Sequence, residues 1–393
     1  MPATPMKNLL YRAALPLFVP SVKGKYRLEA SGHPIHAVGK LERLLCKHRA
    51  LHASILLSDG DDTALLHAPV VSGAYAAQLS DKPIYRVASI TKTATALVTL
   101  RLCEAGLISL ESGVGEILPE GPGTEALRGV TVRQLLCHTS GLRDTSAYET
   151  ALDRQDTFHS VITAPGVVAA KPGASFAYSN LGYGLLGCVI EQATRQPLAL
   201  AFDELLFNPL GMHATLDAST LNEADVVPIT RMLSRRKQPP VTITALGRLP
   251  LTQADPLRHF GHTAGAMYTD VPSLQRMLTL IAQEGTWNGQ QLLQAESIRE
   301  MTRPHASYGK LSPTMQYGLG LILIDDPAIS QRRIIGHQGF AYGCVDGAFL
   351  ECGTGRMVVS LNGGASEARI GRIGCINQDM MRFAFREELP LWK

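Results

Sequence analysis

Two short apolar runs near the start of the chain predict a β-hairpin. The runs Ala53–Leu57 and Thr63–His67 flank the turn-forming sequence Asp59-Gly60-Asp61-Asp62. Apolar runs of strand length joined by such residues are typical of paired antiparallel strands. We therefore expect two antiparallel strands to open the fold.

Helical spacing of apolar residues dominates the middle of the chain. From Ser89 the pattern continues to Gly106, a residue type that suits the left-handed position after a helix. Ser89 should therefore lie at or near a helix amino terminus. Further helices are predicted at Leu181–Thr194, Val271–Gly285 and Ala295–Thr302.

Short apolar runs return after residue 317 and predict strands at Leu319–Ile324, Arg333–His337, Gly347–Leu350 and Met357–Asn362. The last stretch, from about Arg369 to Leu389, has helical spacing again. Strands at both ends with helices between them predict an α+β fold, with mixed α/β character. In this fold both chain ends build one antiparallel sheet, flanked by helices and lying beside a helical region.

The same patterns suggest a domain organisation. We expect an N-terminal extension over residues 1–40 and a single domain over residues 41–393. Its sheet part would comprise about 41–88 and 317–393, and its helical part about 89–316. The stretch 216–259 is rich in proline, threonine and polar residues and lacks clean periodicity, which predicts a lid or substrate loop.

Composition narrows the classes of partner. The 393 residues carry 37 Lys and Arg against 34 Asp and Glu, and a formal charge of +3 favours neither nucleic acid nor an anionic membrane. Seven cysteines without a C-x-x-C pair fit free thiols in a reducing compartment. No long uncharged apolar run and no convincing signal peptide are found. We therefore expect a cytoplasmic protein without a membrane-spanning helix.

The sequence Ser89-Ile90-Thr91-Lys92 is the first candidate for chemistry. Residues three apart on a helix share a face, so the Lys92 amine can reach the Ser89 oxygen. A serine hydroxyl is a poor nucleophile at neutral pH, and a desolvated lysine nearby can serve as its base. The string is common by chance, so its weight depends on the motifs that lie farther along the chain.

Two further short motifs occur in order. Tyr178-Ser179-Asn180 stands just before a predicted helix, where the phenol can exchange protons and the Asn180 amide can orient Lys92 and a substrate carbonyl. His337-Gln338-Gly339 lies at the end of the predicted strand that begins at Arg333. Gly339 would let a substrate backbone approach, and the backbone amides of Phe340 and Ser89 would together form an oxyanion hole.

The ordered set S-x-x-K, Y-x-N and H-x-G resembles the serine β-lactamase and penicillin-binding-protein superfamily. It is most similar to the branch with class C β-lactamases, D-alanyl-D-alanine carboxypeptidases, D-aminopeptidases and β-lactamase-like esterases. The segments Leu135–Leu142 and Tyr317-Gly318-Leu319-Gly320 add to the resemblance, which spans about residues 50–385. It implies a β-lactamase/transpeptidase-like fold and one catalytic domain.

The resemblance also implies roles for the motif residues. Ser89 would be acylated by an ester or amide, and Lys92 and Tyr178 would share the acid and base work, in an order that the sequence leaves open. Asn180 would hold the substrate amide, His337 would stand where relatives carry a lysine, and Gln338 and Gly339 would bind substrate. It implies a small-molecule or short-peptide substrate, with no metal and no organic cofactor.

Several alternatives remain open at this stage. His337 and Gln338 would give a weaker or pH-dependent charge than the usual lysine and threonine, which makes efficient β-lactam hydrolysis doubtful, although a true β-lactamase stays among the candidates. A catalytically silent relative that serves as a binding or scaffold protein is the alternative outside enzymes. We expect His138 to pack and hydrogen-bond beneath the site, and His259 and His262 to have structural or loop roles rather than to bind a metal.

Overall fold

Short and long strands alternate with helices in the computed structural model of the protein. The model describes residues 11, 14–15, 29–32, 38–60, 62–72, 76–77, 79–231, 250–307 and 314–386. The strands, in chain order, are β1 (Glu29–Gly32), β2 (Ala53–Ser58), β3 (Thr63–Ala68), β4 (Tyr85–Arg86), β5 (Ala214–Thr215), β6 (Tyr268–Thr269), β7 (Thr286–Trp287), β8 (Gln290–Gln291), β9 (Ala306–Ser307), β10 (Thr314–Tyr317), β11 (Ile322–Asp325), β12 (Ile334–Ala341), β13 (Cys344–Glu351), β14 (Met357–Leu361), β15 (Arg369–Ile370) and β16 (Ile373–Gly374).

One nine-stranded antiparallel sheet joins the two ends of the described chain. Its strand order is β1-β3-β2-β14-β13-β12-β11-β10-β9. The predicted hairpin is confirmed, because β2 and β3 pair from Ala53 opposite Ala68 to Ser58 opposite Thr63. The late strands join it where β14 pairs with β2. The predicted α+β fold, with one sheet built from both chain ends, is therefore confirmed.

The α-helices lie on both faces of this sheet. They are α1 (Val38–His48), α2 (Thr91–Glu104), α3 (Val114–Ile117), α4 (Val132–Leu136), α5 (Ser146–Arg154), α6 (Phe158–Ile162), α7 (Asn180–Thr194), α8 (Leu198–Phe202), α9 (Asn208–Leu210), α10 (Val271–Ala282), α11 (Ala295–Thr302) and α12 (Cys375–Phe385). Helices α1 and α12, from the two chain ends, cover one face, and the helical middle section covers the other.

Alternate residues of the strands feed two separate hydrophobic cores. In β2, Ile55 and Leu57 pack with α1 and α12, whereas Leu56 belongs to the core shared with α2 and the other middle helices. Successive side chains of a strand point to opposite faces, so a central strand covered on both sides must be apolar throughout. This explains why the central strands β2 and β14 are buried at every position.

Three sequence-based expectations need correction. The apolar run Leu319–Ile324 is only partly a strand, because the Gly318 N–H donates to Leu321 O at 2.8 Å and closes a turn before β11 begins. Strands β9 and β10, placed in the helical part by sequence, belong to the large sheet. The N-terminal region 1–40 is not wholly an extension, since β1 pairs with β3 at the sheet edge.

The predicted loop over 216–259 is only partly described, because residues 232–249 lie outside the described residues. Among the described helices, none is both long enough and apolar enough to cross a membrane. The expectation of a cytoplasmic location stays a prediction.

Helix α7 offers a test of this packing. A Cβ atom on Gly184 would lie 1.6 Å from the Phe260 carbonyl oxygen, whereas one on Gly129 would meet nothing within 4 Å. Gly184→Ala should lower the free energy of unfolding by about 3 kcal/mol, since the backbone clash outweighs the gain of about 1 kcal/mol from alanine in a helix. Gly129→Ala should change it by less than about 0.5 kcal/mol. Equal stability of the two variants in urea unfolding would contradict the close packing of α7.

Candidate active site

A sharp turn presents Ser89 at the start of the buried helix α2. Residues Ala88–Ile90 form a single 3-10 turn, and Ala88 has φ +45°, a left-handed conformation that is uncommon for a residue with a Cβ atom. The turn is fixed by Thr91, whose Oγ1 donates to Ala88 O at 2.6 Å and accepts from the Met267 N–H at 3.1 Å. Ser89 itself is partly exposed and lines the neighbouring cavity.

The amine of Lys92 is completely buried beside Ser89. Its Nζ donates to the Ala264 carbonyl at 2.6 Å and to Asn180 Oδ1 at 2.9 Å, and lies 3.2 Å from Ser89 Oγ. Burial lowers the pKa of Lys92 from 10.5 to about 7, because the charged form loses its hydration, and the Asp144 carboxylate acts in the opposite direction. A large fraction of Lys92 is therefore neutral near neutral pH.

The neutral form of Lys92 has a defined orientation. A neutral amine has two N–H bonds and one lone pair, while the Ala264 carbonyl and Asn180 Oδ1 can only accept hydrogen bonds. These two acceptors engage both N–H bonds, so the lone pair is left for the Ser89 hydroxyl. The arrangement holds Lys92 as an acceptor for the Ser89 proton.

Asp144 organises the Tyr178-Ser179-Asn180 motif at the start of α7. Its carboxylate accepts hydrogen bonds from Ser179 Oγ at 2.9 Å, the Asn180 N–H at 2.8 Å, Asn180 Nδ2 at 3.0 Å and the Leu181 N–H at 3.0 Å. Two of these donors are free N–H groups of a helix amino terminus, where a negative charge is favourable. Because Nδ2 points to Asp144, the Oδ1 atom of Asn180 faces Lys92.

His138 packs beneath Tyr178, as the sequence predicted. The two ring centroids are 4.2 Å apart, and His138 Nδ1 accepts a hydrogen bond from the Ser179 N–H at 3.1 Å. Burial, with the nearby Lys92 charge, holds the pKa of His138 well below its usual value, so the ring is neutral. Tyr178 in turn lies over Lys92, whose Nζ is 4.9 Å from the phenol ring centroid.

The third motif lies within strand β12 rather than at its end. Gly339 permits the strand to approach the Ser89 turn, since a Cβ atom there would lie 2.3 Å from Val87 O. The neighbour that requires this glycine is therefore the protein backbone and not a substrate backbone. The close approach brings Phe340 to the wall of the cavity that Ser89 lines.

The Gln338 side chain is committed to the protein interior. Its Nε2 donates to Arg372 O at 2.7 Å, and its Oε1 accepts from the Gly374 N–H at 3.0 Å. Both ends of the amide are thus used to hold the β15–β16 turn. The residue also lines the cavity, and substrate binding by Gln338 stays a prediction.

His337 is neutral and engaged on both ring nitrogens. Nδ1 lies 2.7 Å from Gln338 O, a group that only accepts, so Nδ1 carries the proton. Nε2 then accepts from the Tyr317 hydroxyl at 2.9 Å. Burial and the Lys92 charge lower the pKa of His337 to about 3, so the expected pH-dependent charge near neutral pH is absent at this residue.

A cavity of about 850 Å³ opens above these groups and carries positive charge. Ser89, Tyr178, Asn180, His337 and Phe340 all line it, so the structure brings the sequence-predicted residues together. Three arginines, Arg143, Arg369 and Arg372, also line the cavity. Asp144 shares the wall, but its oxygens are occupied by the hydrogen bonds to the start of α7.

Sequence reasoning missed several of these groups. Asp144 lies just after the His138–Leu142 segment, and this proximity to a recognised motif was the available signal. Tyr317 was noted only as part of a resemblance and not as the partner of His337. The Ala264 carbonyl leaves no sequence signal, because any residue has a backbone oxygen.

The fold and this arrangement of groups define a protein of the β-lactamase/transpeptidase-like class. The chain belongs to the Beta-lactamase family, whose family model matches residues 40–360.

Relatives with sequence similarity include esterase EstB from Burkholderia gladioli, 36% identical over 155 residues, covering 34% of this chain and 38% of the relative. Penicillin-binding protein 4 from Amycolatopsis lactamdurans is 27% identical over 243 residues, covering 57% of this chain and 62% of the relative. The chain thus matches less than two thirds of the length of each. Among solved structures, a D-stereospecific amidohydrolase from Streptomyces sp. superposes with a TM-score of 0.65 at 27% identity, covering 85% of this chain and 96% of that one.

The role of Asp144 can be tested through the reactivity of Ser89. Asp144→Asn keeps the side-chain shape but removes the charge that raises the pKa of Lys92. Labelling of Ser89 by a fluorophosphonate should rise with pH as Lys92 becomes neutral, and in the variant this rise should move to lower pH. The maximal labelling rate should also fall about tenfold, because Asn180 loses a charge-assisted hydrogen bond.

The control is Asp81→Asn, which removes the same charge at an exposed residue outside this cavity. It should leave both the rate and its pH dependence unchanged. If the labelling rate of Asp144→Asn rises over the same pH range as in wild type, or at higher pH, the assigned role of Asp144 is contradicted.

Proposed function

We propose that the protein is a serine hydrolase that cleaves an ester or amide through an acyl-enzyme on Ser89. The observation that carries this proposal is the orientation of neutral Lys92, whose lone pair is left for the Ser89 hydroxyl 3.2 Å away. A binding module has no need of a desolvated lysine whose other two hydrogen-bonding positions are occupied. The family membership supports the same reaction class.

In the proposed acylation, Ser89 Oγ attacks the substrate carbonyl carbon while its proton passes to Lys92 Nζ. The negative charge on the carbonyl oxygen is stabilised by the backbone amides of Ser89 and Phe340. The bond to the leaving group then breaks, and the leaving oxygen or nitrogen takes a proton from Tyr178, which is replenished from Lys92. Tyr178 suits this step because its ring contacts Lys92 and it also lines the cavity.

In the proposed deacylation, a water molecule attacks the acyl carbon and gives a proton to the same Lys92 and Tyr178 pair. The Ser89 oxygen leaves and recovers its proton, which releases the acid and restores the enzyme. Asn180 is proposed to hold the substrate carbonyl or amide while it orients Lys92. His337 acts indirectly in this scheme, as a neutral group that fixes the cavity wall through Tyr317.

The substrate is proposed to be a small ester or a short D-amino-acid peptide or amide. The names of the relatives support this range, since they include an esterase, a penicillin-binding protein and a D-stereospecific amidohydrolase. Efficient β-lactam hydrolysis is not part of the proposal, because neutral His337 cannot supply the cation that we expect such substrates to need.

The direct test is the intact mass of the protein after brief exposure to a p-nitrophenyl ester, a penicillin and a fluorophosphonate in separate samples. Wild type should gain one acyl or phosphonyl adduct, and the ester adduct should disappear on further incubation as turnover proceeds. Ser89→Ala, which removes only the nucleophilic oxygen, should gain none. A folded wild type without any adduct would reject the enzyme and favour a binding or scaffold protein.

A further inference from the structure

The cleft at Ser89 extends into a second cavity beyond the first. This second lobe has a volume of about 660 Å³ and shares Ser89, Asn180, Phe340 and Arg369 with the first cavity. Its own walls come from Arg86 in β4, from the α5 helix and from Tyr342 in the turn between β12 and β13. A substrate held at Ser89 can therefore place one of its two ends in this lobe.

Arg86 differs from the other residues in the wall of the second lobe because two of its guanidinium nitrogens lack a hydrogen-bond acceptor among the residues that the structure describes. The Nε and Nη1 atoms are buried, and neither has a partner among the residues that the structure describes. The described residues also place no carboxylate within 4 Å of this side chain. Glu149, Asp153 and Glu367 line the same lobe without pairing with it.

Arg86 is half-buried, and leaving two buried nitrogens of a cation without partners is costly, so an anion bound beside them would be stabilised. Arg86 packs over the Tyr342 ring, with Cζ 5.1 Å from the ring centroid, and this contact compensates only part of the lost hydration. Its cross-strand partner Tyr268 also has a buried hydroxyl without a hydrogen-bond partner among the described residues. Two unsatisfied donor groups on paired strands are thus adjacent in this part of the fold.

We propose that the second lobe binds a carboxylate of the substrate through Arg86. The inference rests on the proposed function, because it concerns an ester or amide that acylates Ser89. A single planar guanidinium matches a carboxylate in shape and charge. A doubly charged phosphate fits less well, because Glu149, Asp153 and Glu367 on the same walls would repel it more strongly.

The test compares matched esters that differ only in one charge. One pair carries the group on the acyl side: p-nitrophenyl hydrogen glutarate and its terminal amide. The other pair carries it on the leaving group: 4-carboxyphenyl acetate and 4-carbamoylphenyl acetate. For each pair, kcat/KM is divided by the rate constant of hydroxide-catalysed hydrolysis, which leaves out intramolecular attack by the glutarate carboxylate. The ratio of the carboxylate to the amide ester is the readout.

In wild type, one pair should give a ratio of about ten or more, since hydrogen bonds to charged groups are strong. Arg86→Gln should bring this ratio close to one. Arg86→Lys should lower the ratio at least threefold, because lysine keeps the charge but loses the planar guanidinium that can donate two parallel hydrogen bonds. If Arg86→Gln does not fold, Arg86→Lys provides the test. Arg128→Gln, which removes an exposed arginine paired with Glu120 away from the cleft, should keep the wild-type ratio.

Failure of the carboxylate site and failure of the proposed function give different results. If wild type hydrolyses the amide esters with ratios near one in both pairs, the proposed function stands and the carboxylate site is overturned. A high wild-type ratio that persists in both Arg86 variants also overturns it and assigns the preference to the arginines of the first cavity. No hydrolysis of any ester would reject the proposed function itself.

Discussion

The site depends on the burial of one lysine amine. Lys92 is 0% exposed, and within the described part of the chain no carboxylate lies close enough to form an ion pair with it. The loss of hydration lowers the pKa of Lys92 to about 7, and the Asp144 carboxylate offsets this only in part. The two neutral oxygens of Ala264 and Asn180 direct the lone pair of the uncharged amine toward Ser89. Burial thus sets both the protonation state and the direction of the candidate base.

Holding those oxygens in place requires elements that are far apart in the chain. The Ala264 carbonyl belongs to a segment anchored to α7, where buried Glu191 accepts from His259 Nδ1 at 2.8 Å and from the Asp255 N–H at 3.1 Å. Thr263 Oγ1 adds a hydrogen bond to Tyr183 O at 2.7 Å. Helix α7 therefore carries Asn180 at its start and fixes the Ala264 segment along its length. The buried pair of His259 and Glu191 gives this histidine the structural role expected from sequence.

Much of this arrangement could be predicted from local sequence. The hairpin β2–β3, helix α2 after Ser89 and helix α7 after Asn180 result from periodicity and turn residues, which act over short distances. The three motifs indicated which groups meet in one cleft, and the family membership supports that interpretation. Local patterns could not show how a side chain is used once it is buried. Gln338 and Gly339 were predicted to bind substrate, but the sequence did not show that the Gln338 side chain hydrogen-bonds the β15–β16 turn or that Gly339 makes room for the Ser89 turn. Tertiary contacts decide which partner lies opposite each residue.

The most direct test of the account is the titration of Lys92 itself. Lysine labelled with 13C at the ε carbon would be followed by NMR across pH 5 to 11, with Lys92→Arg used to assign the resonance. The account predicts a midpoint near pH 7, about three units below an ordinary lysine. A midpoint near 10 would show that Lys92 stays charged at neutral pH and would contradict its assignment as the base for Ser89.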